Sequence, residues 1–215
     1  MSTTSPRPTI RRFTVAQRIL HAALAVTFLG MLWTGLCLWS PALAEIMNRS
    51  TARPWHEGFA VALGVALVLV LVVRPRDVAA IAREVDTLDR DDVAWLRGGP
   101  RRLFDHRGAP EQGWLNAGQK LNTAVTMGLM VVLAVTGVLL WLAPGTPALR
   151  WSGTVDVHDL ASVLITVLVA GHLYLAVLHP ATRASLPGMT TGDVDREWAR
   201  THHGRWVREV ERSEP

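Results

Sequence analysis

Four histidines lie within or beside long apolar stretches, where polar side chains able to bind metal are rare. They are His21, His56, His158 and His172, half of the chain's eight histidines. An imidazole nitrogen can ligate a transition metal or pass on a proton, so such histidines indicate cofactor binding or proton transfer. A hydrogen bond to a neighbouring helix is the alternative for any one of them.

The elements that must position these histidines are four stretches without Asp, Glu, Lys or Arg, at 19–44, 58–73, 121–149 and 160–182. Each approaches or exceeds the ~20 residues with which an α-helix crosses a bilayer. The runs are continuous rather than alternating, which disfavours a β-barrel. The sequence therefore predicts an all-α, integral membrane four-helix bundle and a single domain, with helices at about 16–40, 54–74, 118–143 and 156–179.

The basic residues predict the topology. Of the 22 Lys and Arg residues, only Arg49, Arg53 and Arg150 lie in the loops after the first and third spans. By the positive-inside rule, both termini, the connector 75–117 and the tail 180–215 are cytoplasmic. The net charge of +4 then reflects topology, and no nucleic-acid partner is expected. A cleavable signal peptide is disfavoured, because the first apolar run exceeds the ~7–15 residues of a signal core.

The depth of each histidine predicts how they pair. His21 and His172 lie near the cytoplasmic ends of the first and fourth spans, whereas His56 and His158 lie near the periplasmic ends of the second and fourth. A six-coordinate haem iron takes one axial imidazole from each side. The sequence thus predicts two b haems, one held by each pair, about 21 Å apart along the fourth helix. Such an arrangement would carry electrons across the membrane.

Other residues bear on the same chemistry. Cys37 is the only cysteine, so cysteine-ligated clusters and covalent c-type haem are excluded for the chain alone. Gly35 and Gly171 could leave room for a porphyrin, although ordinary helix packing explains either glycine equally well. His179 is interpreted as an interfacial residue, with proton relay or haem ligation as alternatives. The remaining histidines are interpreted as solvated: His106, His202 and His203.

The third span has no histidine but begins with polar residues. Asn116, Gly118 and Gln119 could line a quinone pocket, where carbonyl oxygens need hydrogen-bond donors. The equal alternative is a simple helix start, with Asn116 as N-cap and Lys120 as a snorkelling residue at the membrane surface. The connector is predicted to contain a short surface helix around 78–88, and no internal repeat is predicted.

The order of the histidines and several short segments resemble one known family. The segments are Asn116-Ala117-Gly118-Gln119-Lys120, Val157-His158-Asp159-Leu160-Ala161, Gly171-His172-Leu173-Tyr174-Leu175 and, in the tail, Trp198-Ala199 with His202-His203. The family is the cytochrome b, or gamma, subunit of respiratory formate dehydrogenases, within the wider group of dihaem membrane cytochromes b. The resemblance extends over nearly the whole chain.

The resemblance implies a role in a bacterial inner-membrane complex. His21 and His172 would ligate the cytoplasmic-side haem, and His56 and His158 the periplasmic-side haem. Menaquinone or ubiquinone would be reduced near the inner haem, with Asn116, Gly118 and Gln119 lining its site. An iron–sulfur beta subunit and a molybdenum or tungsten catalytic subunit would be the partners. This multi-pass chain would transfer electrons and reduce quinone without itself oxidising formate.

Three alternatives remain open at this point. The cytochrome b subunit of a nickel–iron hydrogenase, or of another quinone-linked oxidoreductase, would carry the same four histidines. A transporter or proton channel could use them as relays, although no run has a proline near its centre to break the helix. An anchor or assembly protein would hold no cofactor at all.

Overall fold

The computed structural model describes residues 8–104, 108–144 and 152–213, so that Arg7, His106 and Arg150 lie outside the described residues. The main elements in chain order are β1 (Thr9–Arg11), α1 (Val15–Trp39), α2 (Pro41–Ala44), α3 (Arg49–Val73), α4 (Pro75–Asp86), α5 (Arg90–Arg97), α6 (Ala117–Leu142), α7 (Ser152–Leu173), α8 (Leu186–Thr190), β2 (Asp193–Asp195), α9 (Arg196–His202) and α10 (Gly204–Ser213). Short 3-10 turns at Pro100–Leu103 and Arg183–Ser185 and a π-helical turn at Tyr174–Leu178 complete the described elements.

Four of these helices are long and apolar enough to cross a membrane: α1, α3, α6 and the helical segment Gly153–Leu178. Many of their large apolar side chains are exposed, including those of Val26, Val72 and Val167. Such a surface is suited to lipid, where apolar side chains carry no hydration cost. The prediction of an all-α membrane protein is therefore confirmed, while the cytoplasmic position of the termini stays a prediction.

The helix boundaries lie within one residue of the predicted spans except at the starts of the second and fourth, which are both earlier, at Arg49 and Ser152. Helix α3 begins at Arg49, whereas the sequence predicted that it begins near residue 54. The side chain of Asn48 caps this helix by accepting a hydrogen bond from the Thr51 backbone N–H at 2.9 Å. Because the cap satisfies an orphan donor of the first turn, the helix extends beyond its apolar run.

The fourth span ends in an unusual turn. Helix α7 passes at Tyr174 into a π-helical turn, Tyr174–Leu178, which closes when the His179 N–H donates to the Tyr174 carbonyl. Pro180 follows and cannot continue the hydrogen-bond ladder. His179 is 9% exposed and packs edge-on against the Phe104 ring at 5.4 Å. It is thus a buried residue beside aromatic rings, and its position at the membrane interface stays a prediction.

The chain divides into two compact units. One comprises residues 16–78 and 128–167 and contains parts of all four long helices. The other comprises residues 79–127 and 168 onward together with the N-terminal residues up to Val15. In this second unit β1 pairs antiparallel with β2, with Ile10 opposite Val194. These two short strands are the one addition to the all-α prediction within the described residues.

The second unit has its own small apolar core. Its buried residues come from both strands and from the two last helices: Ile10, Val194, Ala199, Trp206 and Val207. The predicted surface helix of the connector is present as α4, and a further helix, α5, follows it. Helix α5 begins with a capping box in which Asp89 and Asp92 each accept a backbone N–H of the other.

A buried arginine ties the N-terminal strand to the tail. Arg12 is 5% exposed, and its Nη2 donates to the Trp114 carbonyl at 3.0 Å and to His203 Nε2 at 2.9 Å. His203 Nδ1 in turn donates to the Gly113 carbonyl at 2.8 Å. The guanidinium can only donate a hydrogen bond, so Nε2 must accept, and the carbonyl can only accept, so Nδ1 must carry a proton. His203 is therefore neutral with its proton on Nδ1.

Aromatic rings complete the surroundings of this arginine. The guanidinium lies over the rings of Phe13, Trp198 and Trp206, at 5.4 to 5.9 Å from their centroids. Burial lowers the pKa of Arg12 to about 10, so the side chain stays charged at neutral pH. His203 is 1% exposed, and the prediction that it is solvated is wrong. His202 stacks on Trp198 at 4.6 Å, and burial lowers its pKa.

Candidate functional site

Two of the predicted haem ligands lie next to each other, edge to face, within the first compact unit. His56 is in α3 and His158 is in α7, and their ring centroids are 6.4 Å apart with the planes at 74°. Two metal–nitrogen bonds of about 2 Å, and about 1 Å from each nitrogen to its ring centre, separate two axial imidazole centroids by about 6 Å. The distance between these rings therefore suits an iron held between them.

The hydrogen bonds of these two rings fix which nitrogen is available to a metal. The Thr34 hydroxyl donates to the Gly30 carbonyl at 2.8 Å and lies 3.1 Å from His56 Nδ1. The Met31 carbonyl, which can only accept, lies 3.0 Å from the same Nδ1. His56 Nδ1 is therefore the protonated nitrogen, and Nε2 carries the lone pair.

His158 is held in the same way. The Thr136 hydroxyl donates to the Val132 carbonyl at 2.7 Å and lies 2.8 Å from His158 Nδ1. Because the hydroxyl hydrogen is already used, the oxygen accepts from Nδ1–H, and Nε2 again carries the lone pair. Metal-ligating histidines are commonly oriented by such a hydrogen bond from the other ring nitrogen. The donor set of this pair fits the axial ligation of a b haem.

Two glycines border the rings on the helices that carry the threonines. A Cβ added at Gly35 would lie 3.3 Å from His56 Cε1, and one at Gly137 would lie 3.5 Å from His158 Cε1. A larger side chain at either position would press on the imidazole. Gly35 was singled out from the sequence because of its depth, whereas Gly137 and the two threonines were not.

The other predicted pair is His21 with His172. His21 is in the first turns of α1, and His172 is in the last turn of α7. They belong to different compact units, and their pairing stays a prediction. At Gly171, beside His172, a Cβ would meet no atom within 4 Å.

The segment predicted to line a quinone site forms a helix start. Asn116 Oδ1 accepts the Gln119 N–H at 2.8 Å, and Gln119 Oε1 accepts the Asn116 N–H at 3.0 Å. This reciprocal capping box confirms the interpretation of Asn116 as the N-cap of α6. The box uses the two carboxamide oxygens. Within the described residues, the NH2 groups of both half-buried side chains keep their hydrogens for another acceptor.

Gly118 and Lys120 are occupied by contacts within the second unit. A Cβ at Gly118 would lie 2.8 Å from the indole of Trp95, so glycine lets α6 approach α5 closely. Lys120 is 3% exposed and donates to Asp92 Oδ2 at 2.8 Å and to the Thr87 carbonyl at 3.0 Å. The snorkelling interpretation of Lys120 is therefore wrong, because a buried carboxylate holds its ammonium group inside the protein.

A polar cavity of about 350 Å³ lies beside this ion pair. Its lining includes Glu84, Thr87, Trp114, Lys120 and Arg205. Glu84 also accepts the backbone N–H of Leu115, one residue before the capping box. Charged walls of this kind suit water more than the apolar ring of a quinone.

Comparisons with known proteins extend over most of the chain. A family model described as prokaryotic cytochrome b561 matches residues 12–192. The nitrate-inducible formate dehydrogenase cytochrome b556(Fdn) subunit of Escherichia coli (strain K12) is 28% identical over 211 residues, covering 92% of this chain and 89% of that protein.

Two further relatives carry similar names. The formate dehydrogenase cytochrome b556(fdo) subunit of Escherichia coli (strain K12) is 27% identical over 216 residues, 96% of each chain. The formate dehydrogenase cytochrome b556 subunit of Haemophilus influenzae is 26% identical over 210 residues, 93% of this chain and 83% of that protein. The family model covers far more than half of the sequence, and this chain belongs to the prokaryotic cytochrome b561 family.

Proposed function

We propose that this chain is the membrane-anchoring cytochrome b subunit of a formate dehydrogenase. It carries electrons through two b haems from a periplasmic dehydrogenase to the quinone pool and supports quinone reduction on the cytoplasmic side of the bacterial inner membrane. The partners are an iron–sulfur subunit and a molybdenum or tungsten catalytic subunit, which oxidises formate. The observation that carries the proposal is the His56–His158 pair, whose ring separation and shared tautomer both suit axial ligation.

Membership of a cytochrome b family implies haem b, and the histidines supply the ligands. His56 and His158 hold one haem, and His21 and His172 hold the other. Bound haems would supply the one-electron transfer, and the protein would supply their binding and orientation. Helix α7 carries one ligand of each site, 14 residues apart, which corresponds to about 21 Å of helix.

The start of α6 supplies hydrogen-bond donors for the carbonyl oxygens of a quinone. The carboxamide NH2 groups of Asn116 and Gln119 donate to the quinone carbonyl oxygens, because their own oxygens are already used by the capping box. Protons reach this region from cytoplasmic water. The cavity beside Glu84 and Lys120 supports this route, since it lies next to the capping box and is lined by polar side chains.

The electron donor is tested in membranes that contain the intact complex. Under anaerobic conditions we expect formate to reduce the b-haem absorption bands, and added oxidised quinone to reoxidise them. A cytochrome b subunit with four ligating histidines would equally suit a hydrogenase, so reduction by hydrogen gas is measured for comparison. Reduction by hydrogen but not by formate would reject the formate assignment and favour the cytochrome b subunit of a nickel–iron hydrogenase.

The quinone assignment is tested with two nearly isosteric changes. Asn116→Asp and Gln119→Glu remove the NH2 donors but keep the oxygens that cap α6. We expect a higher KM for quinone and slower quinone reduction, with haem content and thermal stability unchanged. Asp77→Asn, a carboxylate-to-amide change in the exposed Arg74–Asp77 pair, is the control. Unchanged quinone kinetics in both α6 variants would contradict the role of these amides.

A further inference from the structure

The contacts at the His56–His158 pair belong to a repeat within the chain. Several residues of α1 recur in identical or similar form in α6, each 102 positions later. Among them, Gln17, Arg18, Thr34, Gly35, Leu38 and Trp39 correspond to Gln119, Lys120, Thr136, Gly137, Leu140 and Trp141. The same interval separates His56 from His158, and an acidic residue follows each histidine. The prediction that the chain has no internal repeat is therefore wrong.

The repeat places the same hydrogen bond at both rings. Each histidine lies 22 residues after the threonine that contacts it. Thr34 is 2% exposed and Thr136 is 7% exposed, so neither hydroxyl is available to bulk water. Each hydroxyl donates to a carbonyl of its own helix and accepts from the histidine of the next long helix. The Thr-Gly pair and the histidine thus form one functional element that occurs twice.

We infer that Thr34 and Thr136 are positioning residues for the haem held by His56 and His158. The inference rests on the proposed function and extends it to the residues that hydrogen-bond the two ligating histidines of one site. An oxygen that accepts from Nδ1–H fixes the ring orientation and raises the basicity of Nε2. A more basic axial ligand stabilises oxidised iron, so each threonine lowers the midpoint potential of this haem.

The two threonines are not equivalent. His56 Nδ1 has a second acceptor, the Met31 carbonyl at 3.0 Å. His158 Nδ1 has Thr136 as its acceptor, and no other contact to this nitrogen occurs within the described part of the chain. Loss of the Thr136 hydroxyl leaves a buried N–H without a partner, whereas loss of the Thr34 hydroxyl does not. The effect at Thr136 is therefore the larger one.

The test uses redox titration of the purified complex in detergent or nanodiscs. Thr136→Val removes the hydroxyl at nearly constant volume, and we expect the midpoint potential of one haem to rise while the other stays unchanged. Thr34→Val is expected to raise the potential of the same haem by a smaller amount. Thr136→Ser keeps the acceptor and is expected to titrate as the natural chain does.

Two further measurements separate positioning from general damage. Thr166→Val is the matched control, because the Thr166 hydroxyl donates to the Ser162 carbonyl of its own helix at 2.6 Å and contacts no histidine that the structure describes. The low-spin ferric EPR signal reports the angle between the imidazole planes, 74° here, and should change in Thr136→Val but not in Thr166→Val. Equal shifts in Thr136→Val and Thr166→Val, or haem loss in Thr136→Ser, would overturn the inference.

Failure of the inference is distinct from failure of the proposed function. If the natural chain holds two haems and His158→Ala loses one, the ligand assignment holds, and only the threonine variants decide the inference. In that case unchanged potentials and EPR spectra in Thr136→Val would reject the positioning role. A natural chain without haem would instead reject the proposed function and the inference together.

Discussion

His158→Ala is expected to leave one b haem on the chain and to abolish electron transfer from formate to quinone. The change removes one of two axial ligands, and alanine offers no donor atom in its place. The partner ring of His56 then faces an empty position across about 6 Å. Haem content, measured as the pyridine haemochrome per polypeptide, should fall from two to one, and formate-dependent quinone reduction should fall to background.

Three companion variants make this result specific. His56→Ala should lose the same haem, and the double variant His56→Ala/His158→Ala should lose no more than either single one. His172→Ala should lose the other haem, with a distinct absorption maximum or potential. His158→Met provides a folded control, because methionine can serve as an axial ligand and raises the haem potential. Retention of two haems in both His158→Ala and His172→Ala would show that other residues ligate the iron.

Asp92→Ala is expected to destabilise the second compact unit strongly. Asp92 is fully buried, Lys120 is 3% exposed, and their Nζ–Oδ2 distance is 2.8 Å. Removing the carboxylate leaves a buried ammonium whose partners among the described residues are the Thr87 carbonyl and the more distant Glu84. Breaking a buried pair in this way typically costs about 3–5 kcal/mol of the free energy of unfolding. Thermal unfolding followed by tryptophan fluorescence measures the effect.

Two controls identify the buried charge as the cause. Asp77→Ala breaks the exposed pair with Arg74 and should cost no more than about 1 kcal/mol. The double variant Asp92→Leu/Lys120→Met removes both charges at similar volume and should recover much of the lost stability. If Asp77→Ala and Asp92→Ala unfold at the same temperature, burial of the Lys120–Asp92 pair does not determine the stability of this unit.

The sequence was sufficient to predict the features that depend on hydrophobicity and helical rise. Continuous apolar runs indicated the four long helices, and depth along those helices indicated that His56 meets His158. Both inferences use the constant 1.5 Å rise of a helix, so position in the sequence translates directly into depth in the membrane. The start of α3 was missed because a side-chain cap at Asn48, and not hydrophobicity, determines it.

The second compact unit was predicted less well, because its contacts join distant segments. Arg12 meets His203 across 191 residues, and Lys120 meets Asp92 across 28. A polar residue in a loop or tail is usually solvated, and nothing local in the sequence indicates that His203 packs against Arg12, Trp198 and Trp206. The capping box at Asp89 and Asp92 was a local signal for α5 that the sequence did offer.

Thr34 and Thr136 were missed, although the sequence carried a signal for them. A threonine in a membrane helix commonly bonds a carbonyl of its own preceding turn, so neither residue stood out by type. The signal was the spacing, since a Thr-Gly pair occurs in both α1 and α6, and each threonine precedes a histidine of the next long helix by 22 residues. Comparison of the two halves of the chain would have found it, whereas inspection of the histidines alone did not.

The haem stoichiometry of the natural chain tests the central claim most directly. The complex is purified from membranes, the pyridine haemochrome is quantified against the polypeptide by amino-acid analysis, and the axial ligands are identified from the low-temperature EPR spectrum. The account predicts two b haems per chain, both low-spin with two histidine ligands. A colourless chain, or one whose haems lack paired histidine ligation, would contradict it.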